Sequence, residues 1–512
     1  MNSRFSRRDF LKLTGLAPLG LASPGLMRTL SGLRVPPGPA QSVIVLVFDA
    51  FSAHNMSLHG YSRETTPNMA RLARRAVVYH NHFASSNFTT PGTASLLTGT
   101  HPWTHRALQP NDGVAEHFAT RNIFRVFHDY YGVAYTHNMW AQTLLRQFQS
   151  GIRELIPRAT LFLKSYDAFI STLFKGDEDV ASVGWARHMK LVGDGHAYSL
   201  FLSHVYEALQ EAAVPENLKR RFPRGLPTGT AADVGFLLED AVDSIGNLVT
   251  RIPRPFIGYF HFFPPHSPYH TPAEFCDRFK GDGYQAPQKP RDVFARGDAR
   301  PLLLPRREYD EFVLYVDREF GRFYNALEAS GLLDSTWLVC TSDHGEMFER
   351  GLQGHGNPTL YEPVIRVPLL IFEPGRNLGL DVSVPTSAVD LLPTLAHITG
   401  HPIPDWTEGM LLPPFGSAAP DPNRSVYAVE ARENEKNAPL TQASTMLVKG
   451  RYKLHYYFGY RTPKVDQLVK LYDIHADPEE LVDLSISQPD LTADLLADLK
   501  AKLAQADQPY QA

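Results

Sequence analysis

Phe88-Thr89-Thr90-Pro91-Gly92-Thr93-Ala94-Ser95-Leu96-Leu97-Thr98-Gly99 reads as a loop that delivers a hydroxyl and turns at once into a helix. Pro91 suits a first helical position, where its missing N–H would have had no partner. Thr90 is placed to cap the helix with its side-chain oxygen. Ala94, Leu96 and Leu97 supply an apolar face. Thr89 is therefore expected beside a helix N-terminus, where unpaired N–H groups and the helix dipole favour an anion. A phosphate or sulfate ester suits that place, and so does an alkoxide. Thr90 remains the alternative as the reactive hydroxyl.

Two further stretches give this loop its company. Ser42-Val43-Ile44-Val45-Leu46-Val47-Phe48-Asp49 is an apolar strand ending in a carboxylate. Trp337-Leu338-Val339-Cys340-Thr341-Ser342-Asp343-His344 is a second one, ending in Asp-His. Continuous apolar runs of this length mark strands covered on both faces, as in parallel sheets. Ligands gather at the carboxyl ends of such strands. Asp49, Thr89, Asp343 and His344 together read as a metal site with a nucleophile. Carboxylates and one imidazole suit a divalent ion, and Mn²⁺, Mg²⁺, Zn²⁺ and Ca²⁺ all remain open. A Thr hydroxyl is a weak nucleophile until such an ion lowers its pKa.

The strand-helix alternation runs on through the chain. Pro67 opens an amphipathic helix, Val77 to Phe83 reads as a strand, and Pro255 to Phe262 as a buried strand leading out to His266. Arg306 to Leu332 reads as a helix, Val367 to Phe372 as a strand and Ser387 to Thr399 as a helix. The expected fold is α/β, a mostly parallel central sheet covered by helices on both faces. Beyond Pro413-Pro414-Phe415-Gly416 the texture changes to short strands and one last helix, a small C-terminal antiparallel α+β subdomain. The expected divisions are 1–40, 41–415 with a helical insertion or cap over 140–253, and 416–512.

The 512 residues argue for more than one domain or one large domain with an appendage. A net charge of -4 argues against a nucleic-acid partner, which needs a basic face. The chain has 2 cysteines, so no Cys-rich metal motif exists. Cys340 lies inside an apolar strand and reads as a buried free thiol. Leu13 to Met27 is a weakly apolar run, too short and too interrupted by Gly and Pro for a membrane span.

The ordered blocks resemble the sulfatase branch of the alkaline phosphatase superfamily. They comprise Asp49, Thr89 two residues before Pro91, the Leu96-Leu97-Thr98-Gly99 ending, Pro265-His266-Ser267-Pro268-Tyr269 and Asp343-His344-Gly345. The resemblance implies a catalytic role for Thr89, a general-acid place for His266 near the leaving group, and a role for His355 in orienting or protonating the ester, or as a further ligand. Three departures bear on the reaction. Sulfatases carry Cys or Ser, converted to formylglycine, where this chain has Thr89, and an Arg where it has Thr93. Their Gly-Lys-x-His block is replaced by Tyr135-Thr136-His137-Asn138. Many also carry a second metal-binding Asp where this chain has Ala50. A Thr side chain cannot form the aldehyde, because oxidising its secondary alcohol gives a ketone. Thr nucleophiles occur in phosphate-handling relatives: nucleotide pyrophosphatases, phosphoethanolamine transferases and lipoteichoic acid synthases.

The expected activity is therefore that of a metal-dependent hydrolase or phosphotransferase acting on phosphate mono- or diesters through Thr89. A sulfatase working without formylglycine and a non-catalytic binding protein on this scaffold are the alternatives. The substrate is expected to be a phosphorylated or sulfated small molecule, lipid or glycan. Ser6-Arg7-Arg8-Asp9-Phe10-Leu11-Lys12 resembles a twin-arginine export signal. That implies the twin-arginine translocase as a partner and a periplasmic or secreted enzyme with no transmembrane segment beyond the signal.

Overall fold

The computed structural model describes residues 41–163, 214–229, 235–295 and 302–511. The export signal expected over residues 1–40 lies outside the described residues, as do residues 164–213 of the expected insertion. The central sheet has eight strands: β1 (Ser42–Phe48), β2 (Val77–Tyr79), β3 (Tyr131–Thr136), β4 (Glu154–Leu155), β5 (Phe256–Phe262), β6 (Thr336–Thr341), β7 (Leu369–Phe372) and β8 (Leu380–Val382). Their order is β8-β2-β7-β6-β1-β5-β3-β4. Strand β7 runs against both its neighbours, and every other pair is parallel.

The main helices are α1 (Pro67–Leu72), α2 (Thr89–Thr98), α3 (Met139–Gln147), α4 (Leu238–Val249), α5 (Leu303–Ala329), α6 (Leu391–Ile398) and α7 (Pro489–Asp507). Strand β1 is buried along its whole length because both faces are covered. Ile44, Leu46 and Phe48 enter the core under α1, α4 and α5, whereas Val43, Val45 and Val47 enter the core under α2 and α6. Helix α5 buries Phe312, Val316, Phe320 and Leu327 at helical spacing. Each such side chain contributes roughly 1.5–3 kcal/mol of burial. Strands β9 (Ser425–Glu430), β10 (Ala443–Lys449), β11 (Tyr452–Arg461) and β12 (Lys464–Asp473) form a separate antiparallel sheet. Helix α7 packs Leu495 and Leu499 against Leu447 and Leu454 of that sheet.

Three local readings change. The stretch read as one strand from Val77 to Phe83 is two short strands, Val77–Tyr79 and His82–Phe83. Within 140–253, the described residues add the edge strand β4 and the core helix α4, so this part of the expected cap belongs to the sheet and its covering layer. Helix α2 begins at Thr89, with Phe88 as its cap residue and no side-chain cap. Its first backbone bond runs from the Gly92 N–H to the Phe88 carbonyl. Pro91 thus falls third in the helix, where an N–H would still have no partner, and Thr90 caps nothing: its hydroxyl is buried without a partner. Cys276 and Cys340 are both free, with Cys340 buried. No helix among the described residues is long and apolar enough to cross a membrane.

Candidate active site

Strands β6, β1 and β5 lie side by side, and Val47 stands opposite both Thr341 and His261. Asp49 follows β1, Asp343 follows β6 by two residues, and His261 is the last but one residue of β5. All three therefore reach the same level at the carboxyl edge of the sheet. Their ligand-type atoms lie within 4.8 Å of one another, and all three residues are buried.

The turn after Asp49 is held rigidly. Ala50 adopts a left-handed φ of 58°, which costs a residue with a Cβ and persists only where the surroundings fix it. The Tyr309 hydroxyl donates to the Ala50 carbonyl at 2.7 Å and accepts from the Ser52 N–H at 2.9 Å. The Ala50 N–H donates to Asp343 Oδ1 at 3.3 Å. His344 Nδ1 donates to the Gly345 carbonyl at 3.0 Å, which turns its Nε2 lone pair inward. That nitrogen lies 3.4 Å from Asp49 Oδ1 and 3.5 Å from Asp343 Oδ2. Burial, and then the charge of His355, bring the His344 pKa down to about 3, so the ring is neutral.

Thr89 joins this group. Its Oγ1 lies 3.4 Å from His344 Nε2 and accepts from Asn138 Nδ2 at 3.2 Å. The close approach depends on Gly92, where a Cβ would lie 2.3 Å from the Asp343 carbonyl oxygen. The structure thus brings together Asp49, Thr89, Asp343 and His344, and it places Thr89 rather than Thr90 against them.

His266 and His355 stand at one side of the group. Their rings are 4.8 Å apart, and the His355 ring is 4.1 Å from that of His344. His266 Nδ1 donates to the Ser267 carbonyl at 2.7 Å, while its ring leans on Phe263 at 4.3 Å. His355 Nδ1 pairs with Glu346 Oε1 at 3.0 Å. Burial, and then Arg432, lower the His355 pKa to about 3, and burial raises Glu346 to about 7. Arg432 reaches the rim from the C-terminal part of the chain, donating from Nη1 to the Gly356 carbonyl at 3.1 Å. His101 and His105 stand apart from the group: His105 Nε2 pairs with Ser95 Oγ at 3.0 Å and braces α2.

Three site residues escape the sequence reading. Asn138 caps α3 through its Oδ1 and thereby aims its Nδ2 at Asp49 Oδ2, 2.6 Å away. An Asn before a helical run signals a cap, but not what its amide faces. His261 is the one histidine of strand β5, and Glu346 follows the Asp343-His344 pair by two residues.

The electrostatics fit a divalent cation. Burial raises the pKa of Asp49, and burial followed by repulsion from Asp49 raises Asp343 to about 7. Asp49 Oδ1 and Asp343 Oδ2 are buried without hydrogen-bond partners. Their charged contacts among the described residues are the imidazoles of His261 and His344, with no lysine or arginine. Two buried carboxylates so placed need a positive charge to ionise together.

The sulfatase family profile matches residues 41–401, and the chain belongs to that family, within the alkaline phosphatase superfamily. It is similar to the choline-sulfatase of Rhizobium meliloti (strain 1021), 26% identical over 458 residues, covering 83% of this chain and 80% of that protein. It is also similar to the multifunctional alkaline phosphatase superfamily protein PehA of Trinickia caryophylli, 23% identical over 418 residues, 73% of this chain and 77% of that one. The crystal structure of the phosphonate monoester hydrolase of Agrobacterium radiobacter shares the fold with a TM-score of 0.63 at 18% identity, over 90% of this chain and 96% of that chain.

Proposed function

We propose that the protein is a metal-dependent ester hydrolase or phosphotransferase that attacks phosphate mono- or diesters with Thr89. The observation that carries this reading is the Thr89 hydroxyl itself, seated among Asp49, Asp343 and His344 where a sulfatase would present formylglycine. A divalent ion held by Asp49, Asp343 and His344 would lower the pKa of the Thr89 hydroxyl and neutralise charge on the ester. Thr89 Oγ1, its proton released to solvent, then forms a bond to phosphorus as the bond from phosphorus to the departing alcohol breaks. Asn138 Nδ2 holds Thr89 Oγ1 and Asp49 in register. Unpaired N–H groups at the start of α2 face the phosphoryl oxygens. His266 has its Nδ1 proton committed to Ser267, so its Nε2 takes up a proton before giving it to the leaving oxygen. Water or an acceptor alcohol, deprotonated by the same nitrogen, attacks phosphorus as the bond to Thr89 Oγ1 breaks, and Thr89 regains a proton from solvent.

Membership of the sulfatase family and the choline-sulfatase relative favour a second reading, hydrolysis of a sulfuric ester without formylglycine. Intact-mass analysis after incubation with a panel of phosphate mono- and diesters and aryl sulfates separates the two. A phosphoryl adduct mapped to Thr89, lost in Thr89→Ala together with turnover, is the expected result. Sulfate release faster than phosphoester cleavage, with no adduct, would favour the second reading. We also propose export to the periplasm or medium through the twin-arginine translocase, on the strength of Arg7-Arg8. Replacing both by lysine should leave the protein in the cytoplasm, as cell fractionation would report.

A further inference from the structure

We propose that His261 is a metal ligand that takes the place of the carboxylate missing at Ala50, and that the Tyr259 hydroxyl holds it in the tautomer this requires. The inference rests on the reading of the site as a metal centre, and it changes the ion the site selects.

His261 reaches the carboxylates from the strand beside β1, not from the turn that follows Asp49. Its Nε2 lies 3.3 Å from Asp49 Oδ2 and 3.8 Å from Asp343 Oδ2. It makes no hydrogen bond, as is true of Asp49 Oδ1 and Asp343 Oδ2 beside it, and all three atoms are buried. Three buried polar atoms left without partners around one point are costly unless something occupies that point. The spacing says what. Atoms held ~2.0–2.2 Å from a common ion at tetrahedral angles stand about 3.3–3.6 Å apart. His344 Nε2 to Asp49 Oδ1 and Asp343 Oδ2, at 3.4 and 3.5 Å, and His261 Nε2 to Asp49 Oδ2, at 3.3 Å, have that spacing, and His261 Nε2 to Asp343 Oδ2 is slightly longer at 3.8 Å.

The other side of the His261 ring supports the assignment. Nδ1 lies 3.1 Å from the Tyr259 hydroxyl. With the Nδ1 proton donated to the Tyr259 oxygen, Nε2 is left as a lone pair aimed at the carboxylates. A partner of this kind on the far nitrogen is what a ligating imidazole carries.

The donor set then comprises two carboxylates and two imidazoles, with the Thr89 hydroxyl beside them. Ca²⁺ takes six to eight oxygens and has little use for imidazole. Mixed sets of imidazole and carboxylate with low coordination number suit Zn²⁺ or Mn²⁺.

The test uses the full chain, stripped with chelator and titrated calorimetrically with MnCl₂, ZnCl₂ and CaCl₂. Wild type should bind Mn²⁺ or Zn²⁺ more tightly than Ca²⁺. His261→Ala should weaken that binding about a hundredfold, and Tyr259→Phe about tenfold. Pulsed EPR of the Mn²⁺-loaded wild type should report two coordinated imidazole nitrogens, a readout that needs no variant to fold; His261→Ala should report one. Binding by His261→Ala within threefold of wild type, a single nitrogen in wild type, or preference for Ca²⁺ would each overturn the inference and leave the metal centre standing. Wild type that binds none of the three ions would overturn the metal centre itself, and His261 with it.

Discussion

Two groups of ionisable side chains are equally buried in this molecule, and their surroundings treat them in opposite ways. At the carboxyl edge of the sheet, Asp49 and Asp343 have unpaired oxygens and raised pKa values. Where the C-terminal sheet meets the catalytic part, Glu480 is just as buried, yet Lys453 Nζ lies 2.9 Å from it and His455 Nε2 3.0 Å. Its second oxygen accepts from the Glu362 N–H at 2.8 Å. Burial alone would raise Glu480, but Lys453 and then His455 outweigh it and hold the carboxyl well below its ordinary range. A buried acid with its cations built in serves the fold. Buried acids whose cation the chain does not supply keep a place for one from outside.

The largest effect expected from breaking this contrast is that of Asp343→Asn. Activity should fall more than a thousandfold, as on losing a group whose charge acts only in the transition state. The stability of the chelated protein should move the other way. Asp343 has a folded pKa of about 7, above its unfolded value of 3.8. Its neutral form is therefore favoured in the fold, so chelated wild type is most stable below that lower value and loses stability as pH rises through about 7. The loss is on the order of 4 kcal/mol, shared with Asp49 because the pair titrates together. Denaturant titrations at pH 5 and pH 8 with chelator should show that slope in wild type and a smaller one in Asp343→Asn, where Asp49 stays buried.

Glu480→Gln should do the reverse. It removes an acid whose depressed pKa stabilises the fold above its ordinary value, a contribution lost as pH falls through the lowered one. With Lys453 left buried against one remaining partner, Glu362 at 3.0 Å, the cost should be about 3–5 kcal/mol at neutral pH. Turnover per folded molecule should stay within a fewfold of wild type. A stable Glu480→Gln protein would mean that the C-terminal interface draws little from this cluster.

The two groups were also unequally legible. Strands β1 and β6 announce themselves as unbroken apolar runs because both faces of the sheet are covered, and the polar residues just past their ends mark the site edge. Thr89 could be singled out by what precedes a helix, but its companion Thr90 was misplaced, since a proline is tolerated anywhere before the first backbone bond and not at one position alone. His261 and Asn138 were hidden for a different reason. They reach Asp49 only because β5 lies beside β1 and β3 beside β5 in space, and a parallel sheet does not order its strands as the chain does. The Glu480 cluster joins residue 362 of a short helix, residues 453 and 455 of β11 and residue 480 of the turn after β12, and no local pattern spans them.

Arg432 touches both regions, and its removal should have the smallest effect of these. It follows β9 of the C-terminal sheet, lies 4.2 Å from the Phe88 ring centre, and holds the Gly356 carbonyl beside His355. Its guanidinium is partly exposed, so the cation–π contact and hydrogen bond together should contribute only about 1 kcal/mol. Arg432→Gln should accordingly lower Tm by a few degrees at most. Its charge, however, ranks after burial in depressing the His355 pKa. Removing a neighbouring cation favours the imidazolium, so the acid limb of kcat/KM should move to higher pH, while Arg432→Lys should hold it in place. A pH profile that moves in the first variant and not in the second would make the C-terminal sheet a participant in the chemistry through charge. A profile unmoved in both would confine Arg432 to packing and leave the site's electrostatics to the catalytic part alone.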